Sequence, residues 1–472
     1  MKTSLFAIAL VTLGCRETRP VAKTPASARA SGGDAVAWMY EVATGPDANE
    51  LQVTATLTHA ASSELSVSEL AEPFLRDVRV ERGGEWEAVS PRGTSWFVPE
   101  CAAACRLRYR FDLRSAAAEV VRDSIARRAG DGVFESPPHA WLLHPLQTHD
   151  DDRARFHVKS ENGVRFATGL RATAADTYEI RASEIIRVPY SLFGRFRASV
   201  VRVGDASVQL AIVPGPFRAG DAVLTQWIAR STGAVHDYFG MYPFDGALYA
   251  ILPRSGDSVG FGRASAGAGG GSILIDVGRD VNEAELRNDW VAVHETLHFT
   301  MPSLAREHIW AEEGLATYLE PIVRRRAGLL GADEDVWRQF FEMMPNGLPR
   351  AGDRGLDKTH TWGRTYWGGA IFWLAADVEI RKRTQNAHSI GDAVRAILRA
   401  GGNNSEMWEA SRMWDEGDRA TGTHVLRELA DSMGSQPGTM DLAGLFRELG
   451  VSATSLDDNA PRAALRKAIT AR

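Results

Sequence analysis

The segment DWVAVHETLHFT, Asp289 to Thr300, places His294 and His298 four residues apart, with Glu295 directly after the first. On an α-helix that spacing is about 6 Å of rise and brings both imidazoles to one face, where they can hold one metal ion. Glu295, rotated by about 100° from His294, stands beside such an ion rather than on it. That is the place a general base for hydrolysis occupies. A catalytic zinc needs a third protein ligand and an open fourth position. The spacing HExxHxxGxxH would ask for Gly at 301 and His at 304, but the chain has Met301 and Leu304. A ligand from the next helix is the other solution. The stretch REHIWAEEGLATYLE offers Glu313, with fourteen residues between it and His298, enough for one helix to end near Pro302 and another to return antiparallel.

HETLH followed by WAEEGLATYLE resembles the gluzincin metallopeptidases of the aminopeptidase N-like and glycyl aminopeptidase families, in which the Glu before Gly is the third zinc ligand. The resemblance marks Glu313 rather than Glu312. TYWGGAIFWL is similar to the segment whose Tyr stabilises the oxyanion in those enzymes, and it marks Tyr366. The resemblance thus implies one zinc ion on His294, His298 and Glu313, Glu295 as general base, Tyr366 as oxyanion partner, and a peptide or protein substrate. It also implies a thermolysin-like α/β catalytic domain. The families carry an acidic residue in a Gly-rich edge-strand segment ahead of HExxH, which in the aminopeptidase N-like group grips the substrate's free α-amine. The corresponding stretch here, GAGGGSILID, offers Gly270, Gly271 and Ser272 for peptide backbone pairing but no acid. Aminopeptidase and endopeptidase action both stay open. A non-catalytic envelope protein that kept the fold as a binding scaffold is the alternative from a different class.

The elements that must position these residues read as an α+β multidomain protein. From residue 35 to 175, runs such as ELQVTATLTHA and CRLRYRFDLRS alternate apolar and polar with period two, which predicts an antiparallel β-sandwich-like domain. Residues 176 to 330 form the expected zinc-binding domain. It begins with a hairpin turning at Gly204-Asp205 and a helix opened by Asp221 as N-cap, followed by the strand candidates GALYAILP and GSILIDVG. The glycines of GFGRASAGAGGG suggest a flexible loop. NEAELRNDWVAVHETLHFT reads as one amphipathic helix, begun by Asn282 and Glu285 in capping-box spacing, with Leu286, Trp290, Val293 and Leu297 on one face. Residues 331 to 472 read as an α-helical domain. Within it Trp362, Trp367, Phe372 and Trp373 at near-helical spacing suit a core or a pocket wall. Glu320, one helical face along from Glu313, is a candidate acceptor behind a ligand histidine. His308 reads as a surface residue, and Arg381 as structural.

The chain has 472 residues, 54 Lys and Arg against 60 Asp and Glu, and a pI near 6.1. No basic stripe accompanies that balance, so nucleic acid is not an expected partner. MKTSLFAIALVTLGC pairs Lys2 with an apolar run that is too short to span a bilayer and suits a secretory signal over residues 1 to 15. Gly14-Cys15 resembles a bacterial lipobox, so the expectation is an exported cell-envelope lipoprotein, with periplasmic or secreted protein as the alternative. Residues 16 to 34 read as a flexible tether. Cys101 and Cys105 suggest a local disulfide in an oxidising compartment, two free thiols being the other reading. Oligomeric state is not legible.

Overall fold

The computed structural model describes residues 36–119, 125–438 and 440–471, so the expected signal, Cys15 and the expected tether lie outside the described residues. The N-terminal unit is sheet-rich, as its alternation predicts. In LQVTATLT (Leu51–Thr58) and ACRLRYRF (Ala104–Phe111) every second side chain is buried. These strands sit inside an eight-stranded sheet that packs on a three-stranded and a four-stranded sheet through Trp38, Leu65, Trp96, Phe134, Trp141 and Phe156. One neighbour pair, Val36–Thr44 with Arg153–Lys159, is parallel; the sandwich is not wholly antiparallel. Cys101 and Cys105 are disulfide-bonded.

The unit does not close at residue 175. Thr177–Arg181 pairs with Arg153–Lys159, and Ser191–Gly194 pairs with Val133–Ser136, so the packing boundary falls after Gly194.

The second sheet holds β1 (Arg197–Val203), β2 (Ala206–Ile212), β3 (Gly246–Arg254), β4 (Val259–Gly267) and β5 (Gly270–Gly278), in the order β1-β2-β3-β5-β4. β2, β3 and β5 are parallel, and β4 is an antiparallel edge strand on β5. The Gly-rich run is therefore the edge strand of a hairpin, turning at Ala268 and Gly269, both with positive φ. One face of this sheet receives the helix α1 (Asp221–Phe239) through Leu224, Trp227 and Ile228. The other face packs on the four-stranded sheet through Leu248, Ala250, Leu252 and Leu274 against Val133, Ala167 and Leu192. Burial on both faces explains why GALYAILP and SILIDVG are continuous apolar runs. Asp221 is the first residue of α1 and Gly220 its N-cap; the aspartate pairs instead with Arg197.

The predicted long helix is two helices. Asn282 and Glu285 do form a capping box, but it starts the short helix Glu283–Arg287. The motif sits on a separate helix, α2 (Val291–His298), and Trp290 before it is 48% exposed rather than on the buried face. α3 (Ile309–Arg326), α4 (Asp333–Met343) and α5 (Gly369–Arg383) follow. One apolar cluster runs from Val293 and Leu297 through Trp310, Leu319 and Trp373 to Ile469, so the motif helices belong to the helical core and no packing boundary lies at residue 330. No helix among the described residues is long and apolar enough to cross a membrane.

Candidate metal centre and its cleft

Helix α2 is held in place by neighbours that carry no chemistry of their own. Asp289 caps it, accepting hydrogen bonds from the Ala292 amide and the Trp227 indole, both at 3.1 Å. Thr296, inside the motif, is bonded to the Ala292 carbonyl at 2.6 Å and to the Tyr249 hydroxyl of β3 at 2.7 Å. These two contacts fix the rotation of α2 over the sheet. An Asp two residues ahead of the helix is a readable cap signal; the Tyr249 contact depends on tertiary packing and leaves none.

α3 returns antiparallel, as the loop length allows. Glu313 Oε2 lies 3.5 Å from Nε2 of both His294 and His298. That carboxylate oxygen is buried and has no hydrogen-bond partner among the described residues. The three donor atoms all lie within 4.8 Å of one another. A buried, unpartnered carboxylate oxygen facing two imidazole nitrogens is costly unless a cation sits among them. Two His and one Glu are also a donor set that suits zinc. The residues therefore fit the metal that their spacing implies.

Glu312 is turned away, its carboxylate accepting the Leu304 amide at 2.9 Å. His308 is also apart from the cluster, its Nδ1 bonded to Asp357 at 2.8 Å. Glu320 lies behind His294 but pairs with Arg324 at 2.8 Å, both side chains buried. Arg381 pairs with buried Asp377 at 2.9 Å, a structural contact.

Glu295 is 8% exposed. Burial pushes its carboxyl up to about 7; His298 beside it and the Ala264 backbone amide lower it, while Glu313 raises it. The carboxylate rests against β4, where Gly262 leaves it room: a Cβ there would lie 2.3 Å from Glu295 Cγ. Tyr366 lies in a stretch of π-helix, Gly363–Gly368, just ahead of α5. Its ring stacks on His294 with centroids 6.4 Å apart. Burial, then the Glu313 and Glu295 carboxylates, raise its hydroxyl and keep it protonated. Two glycines bring it there. A Cβ on Gly314 would lie 2.4 Å from Gly369 Cα, and one on Gly369 would lie 2.1 Å from the Trp310 carbonyl oxygen, so α3 and α5 cross almost backbone to backbone.

The expected substrate positions Gly270, Gly271 and Ser272 are elsewhere. They lie on β5 and are buried. Ser272 donates to the Tyr190 carbonyl at 2.8 Å, and a Cβ on Gly271 would lie 2.6 Å from Phe299. Their smallness serves packing between the units, and the strand that borders the cleft is β4. β4 holds no carboxylate; Arg263, next to Gly262, reaches 3.5 Å from Glu135, which Arg127 also holds at 2.8 Å.

The fold is that of the aminopeptidase N-like metallopeptidases. No protein-family model and no curated protein matches the chain. Among solved structures, an aminopeptidase N family protein from Idiomarina loihiensis superposes with TM-score 0.65 at 12% identity, covering 88% of this chain and 78% of that one. An M1 zinc metallopeptidase from Deinococcus radiodurans, a mutant bound to a Tyr-Ser-Ala substrate, gives TM-score 0.53 at 17% identity over 85% of this chain and 94% of that one.

Proposed function

We propose that the protein is a zinc-dependent peptide hydrolase. The observation that carries this reading is the convergence of His294, His298 and the unpartnered Glu313 oxygen, with Tyr366 stacked on His294 and Glu295 within electrostatic reach of His298 and Glu313. A zinc ion held by the three ligands would supply Lewis acidity to a substrate carbonyl and make water acidic enough to react near neutral pH. Glu295, tuned towards neutrality by burial, takes a proton from the attacking water and returns it to the leaving amine. The protonated Tyr366 hydroxyl donates to the carbonyl oxygen as charge grows on it. The free edge of β4 offers backbone groups with which an extended peptide can pair. The solved relatives, one of them holding a tripeptide, support peptide as the substrate.

The test is metal analysis of the purified protein together with hydrolysis of a peptide library by wild type and Glu295→Gln. We expect one zinc per chain in both proteins, and a loss of about 10³- to 10⁴-fold in the variant. Undiminished hydrolysis by the variant would overturn the role of Glu295 and with it this mechanism, and no hydrolysis by wild type would return the protein to the binding-scaffold alternative. The same library with free and acetylated N-termini separates the two modes of cleavage: loss on acetylation marks an aminopeptidase, and indifference marks an endopeptidase. We further read the chain as exported and anchored through a lipid on Cys15. Cys15→Ala should then move the protein from the membrane to the soluble fraction, and an unchanged distribution rejects the anchor.

A further inference from the structure

A second cavity, of about 230 Å³, shares His294 and Tyr366 with the metal centre. Its apolar walls are Trp290, Met343, Trp362 and Trp367, with Thr317 and Gln339 beside them. Trp290 stands edge-on to His294 with centroids 5.4 Å apart, and Trp362 lies 6.5 Å from Tyr366. Whatever fills the cavity therefore touches groups that border the hydrolysed bond.

Size and chemistry narrow the occupant. A cavity of about 150 Å³ with apolar walls is enough for a benzene ring, so this one holds a substituted ring with room to spare. Indole walls favour edge-to-face or offset contact with another ring. The ionic groups in the wall are Glu320 and Arg324, joined at 2.8 Å and both buried. Their charges offset each other, so a charged side chain entering here gives up its hydration for little net attraction; the buried Arg324 Nε and Thr317 Oγ1, which have no hydrogen-bond partner among the described residues, are the polar atoms it would meet.

We propose that this cavity receives a bulky apolar side chain, aromatic foremost, from the substrate residue next to the hydrolysed bond. The proposal rests on the reading of the centre as a peptide hydrolase, and it names the substrate class.

The test separates the two. Binding is measured by calorimetry on the zinc-loaded Glu295→Gln protein, using alanine pentapeptides that carry Phe, Leu, Gly or Asp at one position in turn. We expect the Phe peptides to bind at least about tenfold more tightly than the Gly peptides, with Leu between them and Asp weakest. Met343 is outside the catalytic group. In the same background Met343→Glu should abolish the Phe preference, and the milder Met343→Ala, which enlarges the cavity, should move the preference from Phe towards Trp. Wild type should cut beside Phe. Equal affinities, or a Phe preference untouched by both variants, overturn the pocket. Ranked binding without any cleavage by wild type overturns the hydrolase reading and leaves the pocket standing. Cleavage without regard to the flanking residue does the opposite.

Discussion

The two sides of the cleft are built on different terms. On the helical side, α2, α3 and the turn before α5 present side chains: two imidazoles, two carboxylates and a phenol, each held by packed neighbours. On the sheet side, β4 presents a strip of small residues, and beside Glu295 it contributes the Ala264 backbone amide and the space left by the side chain that Gly262 lacks. The neighbouring strand β5 has glycines too, but theirs accommodate Phe299 and the backbone at Gly169. A glycine can thus serve the reaction or the core, and strand pairing decides which.

Three substitutions can break or sharpen that contrast. The largest effect should come from the helical side: Tyr366→Phe removes only an oxygen and should lower kcat by about 100-fold with zinc content unchanged. A loss of less than about threefold would show that the hydroxyl serves only packing. Next, Gly262→Ala forces the Glu295 carboxylate to move, since the new Cβ would lie 2.7 Å from its Oε1. We expect about a tenfold fall in kcat, with some loss of thermal stability, because the new Cβ also meets Glu295 Cγ at 2.3 Å in a buried side chain. Wild-type kcat in this variant would mean that the strand does not set the position of the base. Smallest in activity, Gly271→Ala should leave the kcat of folded protein intact while costing about 1–3 kcal/mol of stability through overpacking against Phe299 and Phe244. A fall in kcat without a change in thermal unfolding would place β5 in the cleft after all.

Much of the helical side was legible. The i, i+4 histidines need no tertiary information, and the return distance to Glu313 follows from helix geometry. The choice of Glu313 over Glu312, and the place of Tyr366, rested on family resemblance. What the sequence concealed is where a local pattern is continuous but the chain is not. NEAELRNDWVAVHETLHFT keeps helical periodicity across Asn288–Trp290, yet Asp289 turns back to cap the second helix and leaves Trp290 exposed. GFGRASAGAGGG looked like a loop because glycine scores poorly in any strand. Its pairing with β5 across Ala268 and Gly269 is a tertiary choice. The N-terminal unit runs past residue 175 for a related reason: Ser191–Gly194 finds its partner nearly sixty residues upstream, at Val133–Ser136, a pairing that no local pattern announces.

The four-stranded sheet pressed against the back of β3 and β5 bears on how this architecture could be divided or inherited. Leu248, Ala250, Leu252 and Leu274 are at most 4% exposed because the N-terminal unit covers them. A fragment starting at Arg197 would carry every residue of the metal centre and yet present a greasy, strand-rich back, which invites aggregation. The N-terminal unit is therefore bound to the rest of the chain by a shared buried seam rather than being a detachable cassette. A recombination event that swapped it would have to preserve the fit of that hidden seam before any change in substrate could be selected.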